Sequence, residues 1–192
     1  HQPVQDEGKS RTPVAEGQLL WTPSPEQTNS CELSKFMRWL ASERGHAFGD
    51  YDALWSWSVT DVQAVWAAIW DYFNVISGSP YERVLNTREM QGARWFEGAS
   101  VNYAEHLMRP ERQTPDKVAF HHCSEFRPLS QMTWRELGRQ VRIVATRLRE
   151  LGVQPGDCVV SYMPNIPETA VAMIASLAIG AVWSSAAPEF GV

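Results

Sequence analysis

The chain has 192 residues, of which 44% are hydrophobic and 20% charged, and its formal net charge is -5 at pH 7. This length suits one ordinary domain, or a domain with a sizeable extension, and the composition is typical of a soluble globular protein. The weak acidity argues against a surface for nucleic acid or anionic membranes, although it leaves room for a local pocket that binds a nucleotide. We therefore expect small-molecule partners, with neither nucleic acid nor a membrane, and the oligomeric state stays open.

The cysteines indicate a reducing compartment. Cys31, Cys123 and Cys158 are scattered, odd in number and without CxxC spacing, which argues against a disulfide scaffold or a zinc site. A cytoplasmic location fits this pattern best. No apolar run approaches the roughly 18 residues of a membrane-spanning helix, so none is expected.

The first part of the chain predicts a disordered tail and then a helix. Residues 1–17 are polar and rich in proline and glycine, so we expect disorder there. Apolar residues then recur at helical spacing from about residue 29 to residue 44. Asn29 or Ser30 is the predicted cap of this helix, and Gly45 suits its end.

The next segments are mainly helical by pattern. Apolar and polar residues alternate only partly over residues 51–58, so the structure of this segment stays open. The capping-box form of residues 60–63 predicts a helix, which ends at residues 77–80. Residues 81–98 look irregular. A short helix is predicted from Asn102 to Leu107 or Met108, with Arg109-Pro110 ending it.

Most of the nine tryptophans precede Trp95. The first half of the chain is therefore expected to bury large aromatic surfaces. Trp66 and Trp70 lie one helical turn apart, and such a stripe is far more often part of a core than a cofactor site.

From Pro115 onward, strand and helix patterns alternate. The predicted order is strand (117–123), turn (124–128), strand (129–132), helix from the capping box Thr133–Glu136 to Leu151, strand (158–163), helix (165–179) and strand (181–184). This alternation predicts an α/β fold with a partial doubly wound parallel sheet. We therefore divide the chain into a tail (1–17), a helical, Trp-rich extension (18–114) and the first part of an α/β domain (115–192).

Few residues offer catalytic or metal-binding chemistry. His121 and His122 are neighbours on a predicted strand, so they point to opposite faces and cannot chelate one metal ion together. Ser184 and Ser185 follow a predicted strand but lack the glycine turn that exposes a nucleophilic serine. We expect neither a catalytic residue nor a metal ligand in this chain.

The segment from Ser185 to Gly191 is the strongest candidate for ligand binding. It follows the last predicted strand, and ligands of open α/β sheets bind beyond the carboxyl ends of the strands. Its small residues would let a ligand approach the backbone. A plain surface turn is the alternative, and the pattern alone leaves both open.

Several short motifs resemble those of one enzyme class. The stretch Thr133–Leu137, followed by Leu148–Asp157, resembles the first core motif of adenylate-forming enzymes. Tyr162–Glu168 resembles the next strand-to-helix join in acyl-CoA synthetases, and Ala178–Ser185 resembles their second core motif. The resemblance covers roughly residues 18–192 and implies the α/β fold of that class.

The first half of the chain narrows the resemblance. It is similar to the N-terminal region of acetoacetyl-CoA synthetases at Leu20–Ser24, Trp70–Phe73, Ala93–Ala99 and Val101–His106. Trp183-Ser184 also matches that family, whereas acetyl-CoA synthetases usually read His-Ser there. Glu189 departs from the family's usual Asp.

The resemblance implies an ATP-dependent acid–CoA ligase. In that family the acid attacks the α-phosphate of ATP to form an acyl-adenylate and pyrophosphate, and the CoA thiol then displaces AMP. ATP, CoA and Mg²⁺ are therefore the expected cofactors. The family's phosphate loop and catalytic lysine would lie beyond residue 192, so we expect an N-terminal part of a longer ligase that is inactive alone.

Within this part, the resemblance implies one wall of the CoA channel, formed by Ser185, Ala186, Phe190 and Gly191. Two alternatives remain. The acid could be acetate or propionate, or the chain could be a binding module that reuses the fold without catalysis. The coding sequence after Val192 would distinguish the module from the enzyme.

Overall fold

The computed structural model describes residues 14–189. Most of the tail predicted to be disordered lies outside this range. Residue contacts divide the chain into two compact units, His1–Val62 and Gln63–Val192, while the domain boundaries predicted after residues 17 and 114 stay predictions. No helix in the described range is long and apolar enough to cross a membrane.

The described residues of the first unit form three helices, α1 (Pro25–Ser30), α2 (Glu32–Arg44) and α3 (Tyr51–Thr60). The single helix predicted from residue 29 is in fact two, because Cys31 is extended, with a ψ of 155°. Around this break the Ser34 hydroxyl donates to the carbonyl oxygen of Thr28 at 2.6 Å, a local side-chain bond that competes with helix continuation. The predicted caps are wrong, since Cys31 occupies that position, but the predicted end at Gly45 is confirmed by its φ of 69°.

The helix α3 occupies the segment whose structure the pattern left open. Asp50 caps it, because its Oδ1 accepts from the Ala53 amide at 2.8 Å. The capping box predicted at Thr60 is wrong. Thr60 is the last residue of α3, and its hydroxyl donates to the Ser56 carbonyl oxygen at 2.7 Å.

A helix and a small antiparallel sheet begin the second unit. They are α4 (Val62–Tyr72), β1 (Arg83–Leu85) and β2 (Trp95–Glu97), so the expectation of an irregular stretch was partly wrong. Ring centroids lie 4.5 Å apart between Trp70 and Phe96 and 5.4 Å apart between Trp66 and Trp95.

The tryptophans are less buried than expected. Trp55, Trp66 and Trp95 retain 53%, 42% and 44% of their accessible surface. The expectation that the first half buries its aromatic surfaces was therefore wrong for these residues. The physical reason for Trp66 and Trp95 is that they pack on each other at the surface instead of in the core.

Two short helices follow, α5 (Tyr103–Leu107) and α6 (Arg109–Gln113). The predicted helix from Asn102 is confirmed, with Asn102 Oδ1 accepting from the Ala104 amide at 2.9 Å. Arg109-Pro110 begins α6 and does not merely end a helix. Proline suits the first helical turn because its missing N–H would have no partner there.

The remaining elements confirm the α/β class. They are β3 (Val118–Ser124), β4 (Arg127–Thr133), α7 (Trp134–Glu150), β5 (Cys158–Tyr162), α8 (Pro167–Ala178) and β6 (Val182–Ala186). Within the described residues β5 and β6 form the parallel part of the predicted sheet, joined through α8. The strands β3 and β4 instead form a separate antiparallel hairpin, because a connection as short as their turn cannot join parallel strands.

The core of the second unit lies between its helices. The buried apolar residues come from α5, α7, α8 and the segment that leads into β6: Ala104, Leu137, Val141, Ala145, Val171, Ile174, Ala175, Ile179 and Ala181. The predicted cap of α7 is confirmed, since the Thr133 hydroxyl accepts from the Glu136 amide at 3.3 Å. Asn102 links two of these helices, because its Nδ2 donates to the Leu177 carbonyl oxygen at 3.0 Å.

Candidate functional site

The candidate site lies at the carboxyl ends of β5 and β6. Ser161 pairs with Ser185 and Tyr162 with Ala186 across the two parallel strands. Ser185 and Ala186 therefore belong to β6, and the predicted end of this strand at Ser184 was two residues too early. Ser185 is exposed and Ala186 half-buried.

Of the four residues predicted to form the CoA wall, Ser185 and Ala186 thus lie at the carboxyl end of β6. Phe190 and Gly191 lie outside the described residues. The position of the segment beyond a strand's carboxyl end is nevertheless the one where open α/β sheets bind ligands.

One residue at this edge was missed by sequence reasoning. The hydroxyl of Tyr162, the last residue of β5, donates to the carbonyl oxygen of Pro188 at 2.8 Å. This bond ties the chain leaving β6 back to the neighbouring strand. Tyr162 belongs to a motif quoted above, but periodicity cannot reveal a partner 26 residues away.

The connection from β5 to α8 lies at the same edge. The Thr169 hydroxyl donates to the Pro164 carbonyl oxygen at 2.7 Å, and Arg127 Nη1 lies 2.7 Å from Glu168 Oε1. The backbone N–H of Glu168 itself, followed by the Arg127 guanidinium, lowers the pKa of the Glu168 carboxyl. The turn of the β3–β4 hairpin is thereby attached to the first turn of α8.

A cleft of about 310 Å³ opens beside this connection. It is lined by residues of β3 and of the start of α8: Phe120, His121, His122, Cys123, Asn165, Ile166, Pro167 and Ala170. On β3, His121 is exposed and His122 half-buried. Across residues 14–189, no group of three or more His, Cys, Asp or Glu side chains could hold a metal ion. These residues do not fit a Mg²⁺ site, so no chemical step is assigned to Mg²⁺ on this part of the chain.

Ser161 is an unusual buried polar residue. It retains 7% of its accessible surface, and its Oγ has no hydrogen-bond partner among the described residues. Burying a hydroxyl without a partner is unfavourable. The carboxyl end of β5 therefore contains one hydroxyl whose hydrogen-bonding capacity is unused.

His106 and His46 each contact a residue of their own unit. His106 Nε2 accepts from the Ile76 amide at 2.7 Å, and His46 lies 5.2 Å from the Trp57 ring. The three cysteines are free and exposed. At Cys31 the Ser34 hydroxyl is the main cause of a lowered thiol pKa.

Two family models match adjacent parts of the chain. The model described as "AMP-binding enzyme" matches residues 107–192, and the one described as "Acetyl-coenzyme A synthetase N-terminus" matches residues 51–107. The chain belongs to the acyl-CoA synthetases among the AMP-binding enzymes. The resemblance inferred from its motifs is thereby confirmed.

Individual acyl-CoA synthetases are similar over most of the chain. An acetoacetyl-CoA synthetase from Rattus norvegicus is 35% identical over 185 residues, which are 95% of this chain and 27% of that protein. Malonamoyl-CoA synthetase vrtB from Penicillium aethiopicum is 29% identical over 192 residues, or 97% of this chain and 26% of that protein.

A solved structure extends the likeness to the fold. The acetoacetyl-CoA synthetase from Streptomyces lividans superimposes with a TM-score of 0.86 at 44% identity, covering 91% of this chain and 27% of that one. The chain thus spans about a quarter of the length of the acyl-CoA synthetases that it matches.

Proposed function

We propose that the whole protein is an acid–CoA ligase that converts acetoacetate, ATP and CoA to acetoacetyl-CoA, AMP and pyrophosphate. The observation that supports this most is the match, in sequence and in fold, to a solved acetoacetyl-CoA synthetase over nearly all of the chain. Membership of the AMP-binding enzymes supports adenylation as the first step. ATP, CoA and Mg²⁺ are the proposed cofactors, and the three free cysteines support a cytoplasmic location.

The acid is proposed as a short one with a carbonyl group β to its carboxylate. Acetoacetate has this feature, and so does malonamate, the acid named by the similar malonamoyl-CoA synthetase. Acetate and propionate, the acids of the second candidate function, lack it. A panel of these four acids therefore separates the proposed substrate class from its alternatives.

The test is pyrophosphate release by the full-length protein from ATP, without CoA, in the presence of each acid. We expect release with acetoacetate well above the blank and above that with acetate or propionate. Faster release with acetate would reassign the substrate. No release with any acid would favour the non-catalytic binding module.

The 192-residue chain alone is expected to release no pyrophosphate under the same conditions. The described residues contain no cluster fit for a metal ion, and adenylation needs concentrated positive charge around the phosphates. Release above the blank by this chain would contradict the assignment of the catalytic groups to other parts of the protein.

Ser185, Ala186, Phe190 and Gly191 are proposed to form one wall of the CoA channel. Their place at and beyond the carboxyl end of β6 supports this role. In the full-length protein, Gly191→Val is expected to raise the apparent KM for CoA more than that for ATP. Equal shifts in both KM values, or no CoA effect in a variant of unchanged thermal stability, would show that the segment is only a turn.

A further inference from the structure

The segment that follows α4 is held to α5 and α6 by side chains. Arg109, at the start of α6, donates from Nη1 to the Phe73 carbonyl oxygen at 2.8 Å and from Nη2 to the Asn74 carbonyl oxygen. His106 of α5 contacts the same segment at Ile76. Both contacts join described residues of the second unit, and neither includes a residue of the proposed CoA wall.

The contact at His106 requires a neutral imidazole. Its Nε2 accepts from the Ile76 amide at 2.7 Å and lies 3.3 Å from the Ile76 carbonyl oxygen. A ring nitrogen accepts a hydrogen bond only through a free lone pair, so the proton of the neutral ring must be on Nδ1 for this bond. Protonation places a hydrogen on Nε2, which can then donate to the carbonyl oxygen but can no longer accept from the amide. The Ile76 amide therefore loses this partner when the ring is charged.

The imidazole is the titratable group of this contact. Residues 73–80 contain no titratable side chain, and histidine is the side chain that ordinarily changes its charge between pH 5 and pH 8. An arginine guanidinium stays charged throughout that range. Two carboxylates on neighbouring helices, those of Glu111 and Glu168, form ion pairs with arginine side chains. The other titratable side chains on the elements around the contact belong to Asp71 and Tyr72 of α4, Tyr103 and Glu105 of α5, and Arg109 and Arg112 of α6.

We propose that His106 is a pH-dependent switch between α5 and the segment after α4: the neutral ring binds the Ile76 amide, and the protonated ring releases it. The bond is formed above the titration of this histidine and is lost as the pH falls through it. The bonds from Arg109 do not change over the same range, so the segment stays attached while its fastening at Ile76 loosens. This switch does not depend on the reaction that the whole protein catalyses.

The test is hydrogen–deuterium exchange at single-residue resolution in the full-length protein, between pH 8 and pH 5, with rates corrected for the intrinsic pH dependence of amide exchange. Protection of the Ile76 amide is expected to fall about threefold to tenfold on acidification, which corresponds to the loss of one hydrogen bond. The amides of Val75 and Gly78 donate to the carbonyl oxygens of Trp70 and Ser100, so their protection should stay unchanged.

The decisive variant is His106→Gln, because a glutamine side chain offers an amide oxygen that can accept from the Ile76 amide and does not ionise. In this variant Ile76 should remain protected at both pH values. His106→Leu removes the acceptor, so Ile76 should exchange as fast at pH 8 as it does in the wild type at pH 5. His121→Gln, which changes an exposed histidine of β3, is the control and should keep the wild-type pH profile.

Equal protection of Ile76 at pH 8 and pH 5 in the wild type would overturn the proposal, and so would a wild-type pH dependence in His106→Gln. Equal losses at Val75, Ile76 and Gly78 would also overturn it, since they would show a general opening of the segment at low pH. If a variant does not fold, the comparison of Ile76 with Val75 and Gly78 in the wild type decides the outcome.

Discussion

At the scale of single residues, two serine hydroxyls lie in opposite hydrogen-bonding situations. The Oγ of Ser161 is buried without a partner. The Oγ of Ser77 accepts from the Ser100 amide at 3.1 Å, and its hydroxyl can donate to the carbonyl oxygen of Ser79 at 2.5 Å or to that of Ser100 at 3.0 Å. Replacement with alanine therefore removes a hydroxyl without a hydrogen-bond partner at Ser161 and a hydrogen-bonded hydroxyl at Ser77.

Ser161→Ala is expected to leave the free energy of unfolding unchanged or to raise it by up to about 1 kcal/mol, because no bond is lost and an unpaired polar group leaves the interior. Ser77→Ala should lower it by about 1–2 kcal/mol, because the Ser100 amide and the Ser79 carbonyl oxygen lose this hydroxyl as a partner. Urea denaturation of the chain measures both. A larger loss at Ser161 than at Ser77 would mean that the Ser161 hydroxyl has a partner.

At the scale of elements, the packing of α6 on α7 depends on a glycine. A Cβ atom at Gly138, in the second turn of α7, would overlap the carboxylate of Glu111 on α6. That carboxylate also forms an ion pair with Arg142, with Nη1 and Oε1 2.7 Å apart. The missing side chain at position 138 thus makes room for the ion pair.

This arrangement predicts energetic coupling between Gly138 and Glu111. In the wild type, Gly138→Ala should raise the free energy of unfolding by less than the gain of about 1 kcal/mol that is typical of this change in a helix, because Glu111 must move. In a Glu111→Ala background, Gly138→Ala should raise the free energy of unfolding by the full amount. A double-mutant cycle measured by urea denaturation checks this, and additive effects of the two changes would contradict it.

The first turn of α7 predicts a pH dependence of stability. Hydrogen bonds from Arg139 first, and then Gln140, lower the pKa of Glu136 from 4.5 to about 2. A depressed carboxyl pKa contributes stability that is fully present above the unfolded value and is lost as the pH falls through the folded value. The Glu136 contribution is therefore lost between about pH 4.5 and pH 2.

Glu136→Gln should consequently lose less stability than the wild type on acidification through this window. Glu125→Gln is the control, since Glu125 is exposed at the turn of the β3–β4 hairpin and makes no hydrogen bond among the described residues. Urea midpoints measured from pH 5 to pH 2 give the comparison. The difference should shrink in about 1 M salt, because Glu136 is exposed to solvent screening; identical acid profiles of all three proteins would contradict the prediction.

At the scale of the whole molecule, one face of the parallel strands is uncovered in this chain. Val160, Tyr162 and Val182 share that face and retain 74%, 64% and 51% of their accessible surface. Doubly wound sheets normally bury both faces. The chain spans about a quarter of its relatives' length, so we expect marginal stability and self-association when it is studied alone.

Val160→Lys should reduce this self-association without lowering stability, because it places a charge on the uncovered face. Leu129→Lys, an equally drastic change at a residue that is 72% exposed on β4, should have little effect on association. Sedimentation velocity of the three proteins provides the measurement. A monomeric wild-type chain with a sharp melt well above about 60 °C would contradict the expectation.

The sequence alone determined the features that depend on neighbouring residues. The cap at Thr133, the end of α2 at Gly45 and the alternation of strands and helices after Pro115 are confirmed by the structure. In each case a side chain or backbone group finds its partner within one helical turn, or burial repeats with the period of the element. The motifs also identified the enzyme class, whereas the residues of the CoA wall stay a prediction.

The tertiary structure decided the contacts that join distant residues. It separated the β3–β4 hairpin from the parallel strands, extended β6 to Ala186, and brought Tyr162 to Pro188 and Glu111 to Gly138. None of these could be deduced from periodicity, because periodicity reports which face of an element is apolar and not which element covers it. The geometry of the candidate site depends on such contacts. The ends of β5 and β6 are 24 residues apart in the sequence, and they become neighbours only when α8 forms the crossover between the two strands.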